Sequence, residues 1–531
     1  MEPGPSTPPA DDVAAVRAGY TAAVRAGYTF DGPVVELGVL AVGDEPFPDV
    51  RIGLPLAMLN RHGLVCGATG TGKTVTLQVL AEQVSAAGVP VFAPDIKGDL
   101  SGLAIPATGS EKLLARTSRL GQRWSPAASP VEFLALGGVG VGVPVRATVT
   151  SFGPLLLAKV LDLNETQESS LVLVFHWADT TGLPLVDLAD LRAVLQHLTS
   201  DEGKEQLAAL GGLSSASVGV ILRKISALAA QGAEVFFGEP ELDLADLTRR
   251  TVDGAGVISL LELPELQDRP QLFSTFLMWL LAELFETLPE VGDRDRPELV
   301  FFFDEAHLLF SDASPAFLTS VAQTVRLIRS KGVGVFFVTQ SPRDLPEEVL
   351  AQLGSRVQHQ VRAHTPDEAK ALRQTVATYP QSAYDLAQVL QSLAIGEAVV
   401  TVMDPDGAPT PVARTRVFAP RSVMGRVPAE VLQPGIARSE LMARYGQAVD
   451  RESARELLAA RVAREAPEPV AVPQRRAAPD GAAPRAPGRP RAPRPEPSVL
   501  EQLSRNTLVR QMARTAGREI LRGLFGTRRR R

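Results

Sequence analysis

The sequence predicts an α/β fold: a mostly parallel sheet covered by helices, with a helical insertion and a basic amphipathic helix at the C-terminus. Two observations carry the core of that reading. Short apolar runs alternate with helical patterns from about residue 31 to 420, and such alternation builds parallel sheets. One of these runs, Gly63–Cys66, enters a glycine-rich loop, Gly67-Ala68-Thr69-Gly70-Thr71-Gly72-Lys73-Thr74, that leads straight into a helix pattern, Val75–Ala86. Strand, loop and helix in that order form a phosphate-binding unit.

Taken in order, residues 1–30 are expected to be disordered. They open proline-rich and acidic, and carry a tandem octapeptide, AAVRAGYT, at Ala14–Thr21 and Ala22–Thr29. Two copies are too few for a solenoid. The expected strands are Gly63–Cys66, Pro90–Asp95, Gly256–Leu261, Leu299–Asp304, Val333–Gln340, Arg356–Ala363 and Glu397–Met403. Runs such as LVFFFD and VGVFFVTQ are apolar throughout, as strands buried on both faces are. Residues 153–235 break the rhythm with mainly helical signals and read as an insertion in a domain spanning 31–425. The segment Leu272–Leu288 is 17 residues long and contains Glu283 and Glu286, which suits a buried core helix better than a membrane span. Residues 426–464 are again helical. Residues 465–497 hold ten prolines and eight alanines and are expected to be an extended linker. Residues 498–531 form the basic amphipathic helix and its arginine tail.

Composition narrows the function. Of 531 residues, 45% are hydrophobic and 21% charged, as in an ordinary globular protein. The single cysteine, Cys66, excludes a disulfide framework and a cysteine-based zinc site. The N-terminus lacks the pattern of a signal peptide, so the expected localisation is cytoplasmic. The net charge of −6 hides an asymmetry. From Arg485 onward the chain carries 13 arginines and three acids, a net of +10, which leaves −16 on the rest.

The chemistry starts at the glycine-rich loop. Gly67, Gly70 and Gly72 let backbone N–H groups converge on a phosphate chain, and the following helix N-terminus adds partial positive charge. The pattern assigns Gly67–Thr74 to ATP binding, Lys73 to the β- and γ-phosphates, and the Thr74 hydroxyl to Mg²⁺. In Leu299–Glu305, an apolar strand ends in two acids. Asp304 then holds Mg²⁺, and Glu305 polarises the attacking water. Gln340 ends another apolar strand and reads either as a γ-phosphate sensor or as a plain strand-terminating amide. Arg326, Arg329 and Arg356 are candidates for a charge-stabilising finger, against the usual fate of an arginine, which is a surface ion pair.

These stretches resemble the HerA-like P-loop ATPases, in the larger group that includes the FtsK-type DNA pumps, and more specifically the bacterial YjgR-type proteins. The likeness runs over about residues 28–460, through GATGTGKTVTLQ (67–78), DIKGDLSGL (95–103), LNETQ (163–167), FFGEPELD (236–243), FFFDEAHLLF (301–310), VRLIRSKGVGVFFVTQSPRDLPEEVLAQLGSRVQ (325–358) and VDRESARE (449–456). The resemblance implies a RecA-like sheet of the additional-strand type, and a ring-forming ATPase, most simply a hexamer, with ATP between subunits. By position it makes Arg329 the first choice for a finger supplied by a neighbour and Arg356 the second. It makes Asp95 and Asp99 supporting acids behind the metal site, and leaves Lys97 without a role. Only about 35 residues lie between the expected disordered start and the loop, too few for the N-terminal barrel with which HerA proper docks a nuclease, so nuclease pairing is not carried over.

Two functions follow from different classes. One is an ATP-hydrolysing oligomeric motor acting on DNA. The other is an ATP-gated assembly module acting on a protein or membrane-surface partner without DNA. A nucleotide binder with negligible turnover is a third. In the C-terminal helix, Leu508, Met512, Ala516, Ile520 and Leu524 form an apolar stripe beside Arg510, Arg514, Arg518 and Arg522. That pattern suits docking on the acidic body or a protein partner, gripping nucleic acid, or lying on an anionic membrane. The stripe itself disfavours a helix that only contacts DNA.

Overall fold

The computed structural model describes residues 10–207, 212–292, 294–310, 315–382 and 384–465. The linker and the basic C-terminal helix expected from the sequence lie outside the described residues. The described residues divide between two compact units. One is built from the chain up to residue 152 and from 227 to 450, the other from 153–226 and from 451 onward.

The first unit contains one twelve-stranded sheet. Its strands are β1 (Val34–Val42), β2 (Glu45–Pro55), β3 (Gly63–Cys66), β4 (Val91–Asp95), β5 (Val131–Leu136), β6 (Val143–Val145), β7 (Ile258–Glu262), β8 (Leu299–Phe303), β9 (Val333–Thr339), β10 (Ser355–Gln358), β11 (Glu397–Thr401) and β12 (Ala413–Val417). The order across the sheet is β2-β1-β12-β11-β10-β3-β9-β8-β4-β7-β5-β6. From β10 to β6 every neighbouring pair is parallel. The β2-β1-β12-β11 side joins it by antiparallel pairs. One strand, β9, lies between β3 and β8, which is the additional-strand arrangement.

The apolar strands are what dictate this layering. All five residues of β8 and all seven of β9 are buried. Their phenylalanines pack across the pair, Phe302 tilted against Phe336 at 5.4 Å and Phe303 stacked on Phe337 at 5.5 Å between ring centroids. Helix Pro270–Thr287 buries Leu272–Leu281 and Leu284, as the sequence suggests for a core helix. No helix among the described residues is long and apolar enough to cross a membrane.

The N-terminal segment corrects an expectation. Residues 10–27 form helix α1 (Ala10–Gly27), not a disordered tail. Each octapeptide copy contributes a tyrosine to the antiparallel side. The Tyr20 hydroxyl donates to the Val412 carbonyl, and that of Tyr28 to the Val400 carbonyl at 3.0 Å. Val24 is fully buried between them. Burial of an aromatic body with a satisfied hydroxyl anchors a helix whose alanines and arginines look weakly amphipathic alone.

The second unit is helical. Helices Glu165–Thr180 and Leu188–Thr199 each start with a capping box, Asn164 with Gln167 and Asp187 with Asp190. Buried Asp190 also accepts from Ser453 Oγ at 2.5 Å and Arg455 N at 3.0 Å, which fastens the segment leading into helix Ala454–Glu465. The expected C-terminal helical region is thus divided. Helices Ala429–Ile436 and Glu440–Tyr445 fall in the sheet-bearing unit, and Ala454–Glu465 in the helical one.

Candidate nucleotide site

All eight parallel strands end at one edge of the sheet, so residues that follow them in sequence meet there in space. The glycine loop follows β3, Asp95 ends β4, Glu262 ends β7, Asp304 and Glu305 follow β8, Gln340 follows β9 and His359 follows β10. Two strand intervals separate β3 from β8, about 10 Å. The loop thus stands on one side of β9 and the two acids on the other.

The loop is tied down from both flanks. Gly67 N donates to Thr339 O at 3.2 Å, Ala68 N to Gln360 O at 2.9 Å, and Gly396 N donates to Thr71 O at 3.1 Å. Thr69 and Gly70 form the exposed tip. Gly72 has φ +116° and precedes helix α2 (Lys73–Ala86) with no side-chain cap, so the first N–H groups of the helix face the loop interior. A Cβ on Gly67 would lie 2.5 Å from His359 Cβ, which is why only glycine fits there. The Lys73 ammonium donates to Gly67 O at 2.8 Å and Ala68 O at 3.3 Å. Burial lowers its pKa, with Glu305 and Asp304 partly opposing.

Across the gap, Asp304 is almost fully buried and accepts from Glu305 N at 2.9 Å. Burial, then the charges of Glu305 and Asp99, push it up to about 7. Glu305 sits at φ +46°, a left-handed conformation uncommon for a non-glycine residue and typical of functional turns. Its Oε1 pairs with Lys97 Nζ, and its Oε2 lies 3.3 Å from His307 Nδ1. Burial alone would raise the Glu305 carboxyl. The hydrogen bond and charge of Lys97 outweigh it and hold the group below its ordinary value.

The supporting acids divide their work. Asp95 accepts from Gly98 N at 2.7 Å and Leu100 N at 2.8 Å, so it shapes the turn that presents Lys97 and Asp99. Asp99 Oδ2 accepts from the Thr74 hydroxyl at 3.3 Å, while its buried Oδ1 has no hydrogen-bond partner. Thr74, Asp99 and Asp304 make an all-oxygen donor set beside an orphaned carboxylate atom, which fits a hard divalent cation such as Mg²⁺. Glu262 pairs in register with Asp95. Burial and then Asp95 push it up to about 8, and its buried Oε1 has no hydrogen-bond partner. Asp95 accepts from two N–H donors that favour its charged form, whereas Glu262 Oε1 has no partner, so Glu262 is the member of the pair held more strongly toward its neutral form.

Two groups at this edge escaped the sequence reading. His359 is fully buried beneath the loop, bonded to Thr76 Oγ1 and Glu397 O, each at 2.9 Å. Glu262 directly follows the expected strand Gly256–Leu261. In both cases the available signal was a polar residue at the carboxyl end of a buried strand.

The proposed fingers are not in the site of their own chain. Arg329 begins a short 3₁₀ turn that precedes β9, at the sheet's opposite edge, where its charge acts on His62. Seven residues of β9 separate it from the phosphate edge, about 23 Å. Arg356 pairs with Leu64 in register, also short of that edge, and is engaged with Thr378 Oγ1 at 2.5 Å and with the Tyr379 ring. Gln340 is exposed at the phosphate edge.

Residues 43–531 match the helicase HerA-like C-terminal family. The chain belongs to that family. A probable helicase of Methanocaldococcus jannaschii is 23% identical over 366 residues, covering 65% of this chain and 64% of that protein. The DNA double-strand break repair helicase HerA of Saccharolobus solfataricus is 21% identical over 368 residues, covering 68% and 66%. The chain therefore spans slightly less than two thirds of these relatives. Among solved structures, the unbound bacterial conjugative coupling protein TrwB superposes with a TM-score of 0.50 at 15% identity, over 77% of this chain and 95% of that one. That likeness concerns the fold.

Proposed function

We propose that the protein is a Mg²⁺-dependent ATPase that works as an oligomeric motor on DNA. The observation that carries the reading is the two-sided site. Lys73 and Thr74 open helix α2 directly after the β3 loop, and Asp304 and Glu305 stand two strands away with β9 between. Its position at the carboxyl edge of parallel strands is where phosphoryl-transfer sites form.

In this mechanism the loop N–H groups and the α2 N-terminus bind the phosphates. Lys73 exchanges its Gly67 and Ala68 carbonyl partners for β- and γ-phosphate oxygens. Thr74 and Asp304 would hold Mg²⁺, with Asp99 beside Thr74, and the bound ion would supply charge neutralisation on the phosphates. Glu305 accepts the proton of the attacking water, and Gln340 orients that water. Arg329, some 23 Å along the sheet by strand geometry, reaches a γ-phosphate only on a neighbouring copy. That supports a ring, most simply a hexamer, in which each site is completed in trans.

The names of the two sequence relatives, both helicases, support DNA as the substrate. The test is phosphate release with and without double- and single-stranded DNA at low salt, alongside a mass measurement with Mg·ATP. Stimulation by DNA in an oligomer is expected. An unchanged rate across DNA forms would overturn the DNA reading and leave the assembly-module alternative. The basic amphipathic pattern of residues 498–531 favours that alternative enough to name its test: deleting it abolishes partner recruitment while basal hydrolysis survives.

A further inference from the structure

We propose that Lys97 is a sensor of the third phosphate, which in the resting chain is latched onto Glu305 and lets it go only when a nucleoside triphosphate gives its ammonium a better partner. The inference rests on the reading of this site as a Mg·ATP site.

The geometry separates a fixed base from a movable tip. The turn carrying Lys97 is held by Asp95 through Gly98 N and Leu100 N, and by Ser101 Oγ, which donates to Gly98 O and accepts from Val427 N at 2.9 Å. Gly98 at φ +77° allows the turn to close. The Lys97 side chain is 50% exposed, with a four-carbon stem free to rotate. Its partner is the reverse case. The Glu305 side chain is 7% exposed and its backbone is fixed in a left-handed turn. The ammonium is the half of the pair that can move.

The latched arrangement is unproductive for hydrolysis. One Glu305 oxygen is taken by Lys97, and the other is buried near His307 without a hydrogen-bond partner, so the latch occupies one of the two acceptors a water proton would use. An exposed ion pair would be of little consequence, but this carboxylate is buried and is the one placed to polarise water. Lys97 also feels Asp304 and Asp99, and repels Lys73. Two ammonium groups thus face one phosphate space, and only one belongs to the glycine loop. A triphosphate extends past Lys73 toward Glu305, where its terminal oxygens compete for Lys97. A diphosphate stops short and leaves the latch closed. Release of the base is thereby tied to the presence of the bond to be cleaved.

The test is a binding cycle, read by calorimetry with a non-hydrolysable ATP analogue and with ADP, both with Mg²⁺, on the full chain. Lys97→Met is expected to weaken the ATP analogue about tenfold, the loss of one charge-assisted hydrogen bond, and to leave ADP within about threefold. Lys97→Arg restores the preference for the ATP analogue. Glu305→Gln, which removes the resting partner, tightens the ATP analogue more when Lys97 is present than in the Lys97→Met background. Equal effects of Lys97→Met on both nucleotides, or a Glu305→Gln effect independent of Lys97, would overturn the proposal. Lys73→Ala is the control for the underlying reading. If it leaves both nucleotides bound as in the wild type, the nucleotide site itself is misplaced, a failure separate from that of the sensor.

Discussion

Replacing His359 by glutamine isolates how much of the phosphate loop's support depends on a buried neutral imidazole. Burial lowers the His359 pKa from 6.5 to about 4, against a smaller opposing effect of its bond to Glu397 O. The folded chain thus holds the ring neutral throughout the range where an unfolded chain protonates it. Stability from this group is fully present above pH 6.5 and is lost as pH falls toward 4. At pH 5 the shift corresponds to about 2 kcal/mol, at 1.36 kcal/mol per pKa unit. That is a sizeable part of the 5–15 kcal/mol typical of a domain. His62, also lowered to about 4 mainly by burial, adds a similar loss. Glutamine keeps a donor and an acceptor near Thr76 and Glu397 but does not titrate. The assay is urea unfolding at pH 7.5 and pH 5.0, followed by tryptophan fluorescence. A Trp177→Phe background leaves Trp124 and Trp279, both in the sheet-bearing unit, as reporters. The expected outcome is that His359→Gln loses about 2 kcal/mol less than the parent between the two pH values. An unchanged loss would mean that the ring is not held neutral, and would refute the account of how the loop is braced.

Other outcomes follow from the same edge of the sheet. Glu262, pushed up to about 8 by burial and then Asp95, favours the folded state at low pH and loses that contribution as pH rises from 4.5 through 8. Glu262→Gln therefore flattens the decline of thermal stability on the alkaline side, measured by melting temperature between pH 6 and 9. Gly67→Ala places a Cβ 2.5 Å from His359 Cβ and 3.0 Å from Thr71 Oγ1; relieving that clash by moving the loop costs about 1–3 kcal/mol, read as a roughly fivefold to 150-fold loss of ADP affinity by calorimetry. Phe302→Ala empties a position packed against Phe336 in the fully buried β8–β9 pair and is expected to cost about 3–5 kcal/mol in urea unfolding. Arg329→Ala leaves ADP binding intact but lowers turnover by about 10³-fold or more, the usual worth of a finger; a variant hydrolysing ATP at the wild-type rate would remove Arg329 from the site.

What the sequence made legible follows from periodicity and direction. Strands buried on both faces, such as LVFFF and VGVFFVT, contain no polar interruption, and their polar C-terminal neighbours are placed by strand direction alone. On the antiparallel side β11 is expected, as Glu397–Met403, whereas β1, β2 and β12 are missed, and β12 and β2 carry weaker signals. In β12, ARTRV, buried and half-buried residues alternate, and β2 contains Pro46, Pro48 and Asp49. Helix α1 is held by tyrosines whose carbonyl partners lie 392 and 372 residues away, a relation no local pattern encodes. The same holds for Lys97 and Glu305, 208 residues apart. Arg329 could have been placed from direction alone. A residue just before a parallel strand lies at the amino edge, and this site is at the carboxyl edge.

The most direct test of the central claim is steady-state phosphate release from Mg·ATP by wild-type chain and by Glu305→Gln, with nucleotide affinity measured in parallel. The account predicts a fall of roughly 10²–10⁴-fold in turnover, the range expected when a positioned proton acceptor is removed, with ATP still bound. Turnover by Glu305→Gln at the wild-type rate would contradict it.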